Sequence, residues 1–133
     1  MLYLNEDLKM ARVARTRSKC MCSNYMVGAV LKTKNGNRYC GCNIDNDGIQ
    51  SICAERVAFG NAIAEGETEF ERIVIVGAPK EADEFEKCLP CGYCRQFMGQ
   101  FVDKDFKIYT QYADKIAEYT IDELLPDAFH LKK

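Results

Sequence analysis

Apolar positions along the chain repeat with two different periods. Leu4, Leu8, Ala11 and Ala14 recur at helical spacing, and Asn5 ahead of Glu6 and Asp7 reads as an N-cap with acids in the first turn, so a helix is predicted up to Ser18. Residues 27–32 and 38–43 are strand-like runs on either side of Lys34, Asn35, Gly36 and Asn37, and the Asn-Gly pair there supplies the positive backbone angles of a hairpin turn. A helical pattern resumes at Ile52 and continues through Val57, Ala58, Ile63 and Ala64 to end before Gly66. The continuous β-branched run at 73–76 predicts a central strand buried on both faces. Pro90 then opens a helix carrying Cys91, Cys94, Phe97, Met98 and Phe101, and a short strand follows at 106–109. Thr120 and Glu123 form a capping-box pattern for a last short helix stopped by Pro126. Helices and strands alternate without an internal repeat or a linker, which predicts an α/β sandwich, and the 133 residues fit one domain over 1–133.

Composition narrows the function. With 47% hydrophobic and 29% charged residues the chain is neither disordered nor of low complexity. A net charge of -2 lacks the basic excess of a nucleic-acid-binding surface, so a polymeric nucleic acid is a poor partner. Charges interrupt every apolar stretch of the N-terminal segment, so neither a signal peptide nor a membrane span is expected, and the predicted location is cytoplasmic. Eight cysteines in such a chain point to metal binding or catalysis rather than to a disulfide scaffold. With His130 as the one histidine, a transition-metal site must rest on thiolates.

A catalytic zinc takes three protein ligands and keeps a fourth position open. Cys91 and Cys94, three residues apart, place their sulfurs on one face of a helix, and Cys53 can complete the set from the first turn of the preceding helix, where Glu55 can also face the ion. Three thiolates on Zn²⁺ leave a net negative site, so Arg56 and Arg95, each directly after a motif, are candidates to offset that charge from beside the sulfurs. Glu55 would then take the proton of an attacking water and pass it to a ring nitrogen and to a leaving amine. The competing reading is a closed structural zinc or iron–sulfur site with Cys88 as fourth ligand, which leaves Glu55 without a role.

The segments Cys53-Ala54-Glu55-Arg56 and Pro90-Cys91-Gly92-Tyr93-Cys94-Arg95-Gln96 resemble the Cys-Ala-Glu-Arg and Pro-Cys-Gly-x-Cys-Arg-Gln of the small zinc-dependent cytidine deaminases. The resemblance extends over nearly the whole chain. Residues 23–29 look like that family's Ser-x-Phe-x-Val-Gly-Ala, 43–46 like its Asn-Val-Glu-Asn, and 123–129 like its C-terminus. It implies a three-layer α/β/α sandwich with a mixed five-stranded sheet, and a homotetramer with active sites at subunit interfaces. It also implies zinc held by Cys53, Cys91 and Cys94, and deamination of cytidine or deoxycytidine by way of Glu55. On the substrate side it places Asn43 and Asp45 at the sugar, with Ala54, Tyr25 and, from a neighbouring subunit, Phe129 at the base. Here the chain departs from the family. Tyr25 stands for a stacking phenylalanine, Asp45 for a sugar-binding glutamate, and the segment 43–53 is one residue shorter. Blasticidin S deaminases, close relatives, share the shortened loop, so a modified cytosine nucleoside is the alternative substrate.

Overall fold

The computed structural model describes residues 2–131. A short 3-10 helix, Leu2–Leu4, runs directly into α1, Asn5–Arg15; the strands are β1, Tyr25–Thr33, and β2, Arg38–Cys42, followed by α2, Ala54–Ala64, and β3, Phe70–Pro79. The remaining elements are α3, Gly92–Gly99, β4, Lys107–Tyr112, β5, Lys115–Thr120, and α4, Ile121–Leu124. The five strands form one mixed sheet in the order β2-β1-β3-β4-β5, antiparallel except for the parallel pair β3–β4. This is the five-stranded α/β sheet expected from the resemblance, with β3 at its centre as the β-branched run predicted.

Side-chain alternation divides the core into two layers. Ala29 and Leu31 of β1 and Ile73 and Ile75 of β3 face α2 and α3, where they pack with Ala58, Phe59, Ala62 and Met98. Val30, Val74 and Val76, one residue out of phase, face α1 and meet Leu4, Leu8 and Ala11. A Cβ at Gly41 of β2 would stand 2.2 Å from the Ala54 carbonyl oxygen, so only glycine lets the first turn of α2 settle on the sheet. On the other face Asp7 is fully buried and accepts from Arg38 Nε at 2.6 Å and Arg72 Nε at 2.7 Å, which ties α1 to β2 and β3. A charge taken out of water this completely needs both partners.

Some local expectations are corrected. Leu4, not Asn5, caps α1, because the 3-10 turn feeds straight into it, and the helix stops at Arg15 rather than Ser18. In the β1–β2 turn Gly36 alone takes a positive φ, 96°, and Asn35 does not share it. β5 was not legible in the pattern: it is an edge strand with Lys115 and Glu118 exposed, and its turn from β4 uses Ala113 at φ 50° in place of a glycine or asparagine. The capping box at Thr120 and Glu123 is formed in both directions.

Candidate active site

Two helices end at the same point. Cys53 is the N-cap of α2 with φ -74° and ψ 154°, and Cys91 is the N-cap of α3 with φ -66° and ψ 166°. Cys91 therefore precedes α3 rather than lying on it, and Cys94 reaches the same spot from the first helical turn. Extended caps turn both side chains across the helix entrances, where unpaired N–H groups and the positive dipole end favour thiolates. The sulfur of Cys91 lies 3.8 Å from that of Cys53 and 3.5 Å from that of Cys94, and all three fall within 4.8 Å of one another. Tetrahedral zinc–thiolate bonds of about 2.3 Å require sulfurs about 3.8 Å apart, so this trio fits zinc with one position left open.

Cys88 is not part of the trio. Its sulfur lies over Gly77, where a Cβ would come within 2.6 Å of it and 3.1 Å of the Tyr25 ring. Burial, and next the charge of Glu55, push its thiol up to about 12, so Cys88 is a neutral wall beside the glutamate. The closed four-cysteine alternative is overturned by this placement.

Glu55, in the first turn of α2, is only 4% exposed. Burial foremost, reinforced by the charge of Cys53, pushes its carboxyl up to about 7, against the opposing pull of its own backbone N–H and of Arg56. A carboxyl poised there can both accept and deliver a proton near neutrality. A hydrogen bond from Cys94, aided by Arg56, pulls the Cys53 thiol down and favours its thiolate. Arg56 donates from Nη2 to the Ser51 carbonyl at 3.3 Å and to the Cys53 sulfur at 3.9 Å. Arg95, the other arginine expected at the sulfurs, instead donates to the Pro90 carbonyl at 2.6 Å and the Leu124 carbonyl at 2.8 Å, strapping the Cys91 loop to α4.

The residues expected to face the sugar form a second constellation around the start of β1. Asn43 accepts from the Val27 N–H at 2.8 Å and donates to the Tyr25 carbonyl at 2.7 Å. Asp45 accepts from the Ser23 N–H at 2.9 Å and its hydroxyl at 2.6 Å through one oxygen, while the other oxygen meets Asn43 Nδ2 at 3.5 Å. Desolvation would raise the Asp45 carboxyl, but the hydrogen bonds from Ser23, joined by those from Asn43 and the Cys22 backbone, outweigh it and hold the group below its ordinary value. Tyr25 donates its hydroxyl to Glu86 at 3.0 Å, and its own pKa is raised by burial first and then by Cys88. Cys88 thus stands between the two constellations.

Two expected contacts are placed elsewhere in the chain. The Ala54 side chain is fully buried in the core below α2, which leaves only its backbone to meet a ligand. The Phe129 ring is exposed beside Tyr93 and Phe97 of α3, its carbonyl accepting from Gln96 at 2.9 Å. Sequence reasoning missed Ser23 and Cys88 as neighbours of these groups, and also Tyr93, whose ring covers Arg56. The only signal for Tyr93 was its place between two zinc ligands.

The model of the cytidine and deoxycytidylate deaminase zinc-binding region matches residues 4–110. A cytidine deaminase of Sporosarcina psychrophila is 36% identical over 121 residues, covering 90% of this chain and 85% of that protein. A blasticidin-S deaminase of Bacillus cereus is 30% identical over 128 residues, covering 91% of this chain and 90% of that protein. The crystal structure of cytidine deaminase from Burkholderia pseudomallei superposes with a TM-score of 0.81 at 32% identity, over 93% of this chain and 97% of that one. A three-sulfur zinc trio at two helix entrances, a buried glutamate beside it and these likenesses agree, and the chain belongs to the cytidine and deoxycytidylate deaminase zinc-binding family.

Proposed function

We propose that this zinc-dependent deaminase converts cytidine and deoxycytidine to uridine and deoxyuridine, with water consumed and ammonia released. The observation that carries the reading is the buried carboxyl of Glu55 set beside an open trio of sulfurs. Cys53, Cys91 and Cys94 would hold the zinc, which when bound would supply Lewis-acid activation of the water that attacks C4 of the base. Glu55 takes a proton from that water and delivers it to N3 of the ring. It then carries the second proton to the exocyclic amine, so that the C4–N bond breaks and ammonia leaves. Arg56 offsets the negative charge of the thiolates. Cys88, seated over Gly77, stands neutral near Glu55, whose burial keeps its carboxyl poised near neutrality.

Asn43, already committed to two backbone groups, holds the loop, and Asp45 keeps an oxygen with acceptor capacity for a sugar hydroxyl. Tyr25 packs on the base. Phe129, exposed in its own chain, reaches the base of a neighbouring subunit in a homotetramer with shared active sites. The eight free cysteines suit a reducing cytoplasm and a role in pyrimidine salvage, with residues 1–133 acting as one domain. Among the described residues no helix is long and apolar enough to cross a membrane.

The likeness to a blasticidin-S deaminase and the shortened 43–53 segment support a second reading, in which the same zinc and glutamate act on a modified cytosine nucleoside. Turnover of cytidine, deoxycytidine and blasticidin S by the zinc-loaded enzyme, followed by loss of the cytosine absorbance, separates the two. Cytidine turnover with blasticidin S untouched is expected, and the reverse preference overturns the first reading in favour of the second.

A further inference from the structure

Arg56 is the one described cation that donates to a sulfur of the trio, yet its hydrogen bonds hold it loosely. Nη2 donates at 3.3 Å to the Ser51 carbonyl and at 3.9 Å to the Cys53 sulfur, and Cys94 also draws the guanidinium from the same side. Its Nε is buried with no hydrogen-bond partner. An arginine side chain has many rotamers, and long bonds toward one edge of the guanidinium do not fix its plane. An aromatic face completes the hold: the guanidinium carbon lies 4.4 Å from the centre of the Tyr93 ring. Tyr93 is itself 68% exposed, so core packing does not account for the placement of this ring.

We propose that Tyr93 is a positioning residue for the deamination reaction, its ring holding the Arg56 guanidinium against the zinc thiolates and covering it from water. This rests on the trio binding zinc for catalysis. Tyr93 lies between two ligands in sequence, Cys91 and Cys94, so the helix entrance that presents the sulfurs also presents the clamp on their counter-charge. An arginine over an aromatic face is attracted by the ring quadrupole, and shielding from solvent strengthens its field at the sulfurs. Drawing electron density from the thiolates leaves the ion a stronger Lewis acid. Tyr93 thus acts through Arg56.

The test uses the full chain loaded with zinc, and in parallel with cobalt(II), as wild type, Tyr93→Ala and Tyr93→Phe. Cobalt reports on its thiolates through the sulfur-to-metal charge-transfer absorption. Tyr93→Ala is expected to keep one metal per chain, to shift that absorption and to lower kcat about 3- to 10-fold with KM nearly unchanged. Tyr93→Phe, which keeps the ring, is expected to restore both. An alanine variant with wild-type absorption and kcat, or a phenylalanine variant as impaired as the alanine one, overturns the assignment. A lower melting temperature with both readouts unmoved also overturns it, since that is the mark of a structural residue. A wild-type protein that binds no zinc and turns over no cytosine nucleoside overturns the parent reading as well, whereas an active wild type with an unaffected alanine variant removes Tyr93 alone.

Discussion

The sulfur trio with Glu55 and the loop around Asn43 and Asp45 are built in opposite ways. In the first, the side chains converge on one open point: three sulfurs lie within 4.8 Å of one another and Glu55 is buried with a raised pKa. In the second, the polar side chains are already engaged, Asn43 with two backbone groups and Asp45 with both donors of Ser23. Chemistry demands groups whose bonding capacity is held in reserve, because a metal and a moving proton must use it. Recognition tolerates groups that first stabilise their own loop, since a carboxylate has about four lone-pair sites to share.

The comparison is broken most severely at a ligand. Cys53→Ser is expected to lose stoichiometric zinc and all measurable turnover, as chelation of the wild type should, and elemental analysis beside an activity assay checks both. No other described residue brings a sulfur into the trio to replace the lost one.

A smaller but still large effect is expected from Glu55→Gln, which removes the proton acceptor and keeps the shape. Zinc content and melting temperature should stay near wild type while kcat falls by about 10²- to 10⁴-fold. Near-normal kcat in the metal-replete variant would exclude Glu55 as the proton carrier.

The recognition side should respond more mildly. For Asp45→Ala we expect kcat/KM for cytidine to fall about 10- to 100-fold with zinc retained, the loss typical of a charged hydrogen-bond acceptor at about 1.5–3 kcal/mol. Unchanged steady-state kinetics on cytidine would leave Asp45 as a loop brace only.

Ser23→Ala sharpens the distinction and has the smallest expected effect. It keeps the acid and deletes one of its holders, so KM should rise only about 2- to 10-fold, with kcat and metal content constant. A loss as large as that of Asp45→Ala would mean that the loop's shape, and not the carboxylate, carries recognition.

The two regions also differed in how legible they were. The ligands and Glu55 could be read from the sequence because a metal demands particular atoms, and cysteine spacing across two short motifs records that demand. The continuous apolar run of β3 was readable for the same kind of reason, since burial on both faces forces apolar residues at successive positions. Gly36 in its turn and Thr120 at its cap are likewise local requirements of the backbone. What only the tertiary structure decided is where long side chains find partners across the chain. Arg56 and Arg95 follow their motifs in the same way, yet one turns to a sulfur and the other to the carbonyls of Pro90 and Leu124. Nor could spacing say that Cys88 would stand against Gly77 and Tyr25 instead of closing the metal site, or that Tyr93 would cover Arg56. Local sequence sets dihedral preferences and the atoms available for bonding, whereas contacts between residues tens of positions apart are fixed by helices landing on a sheet, as α2 does at Gly41.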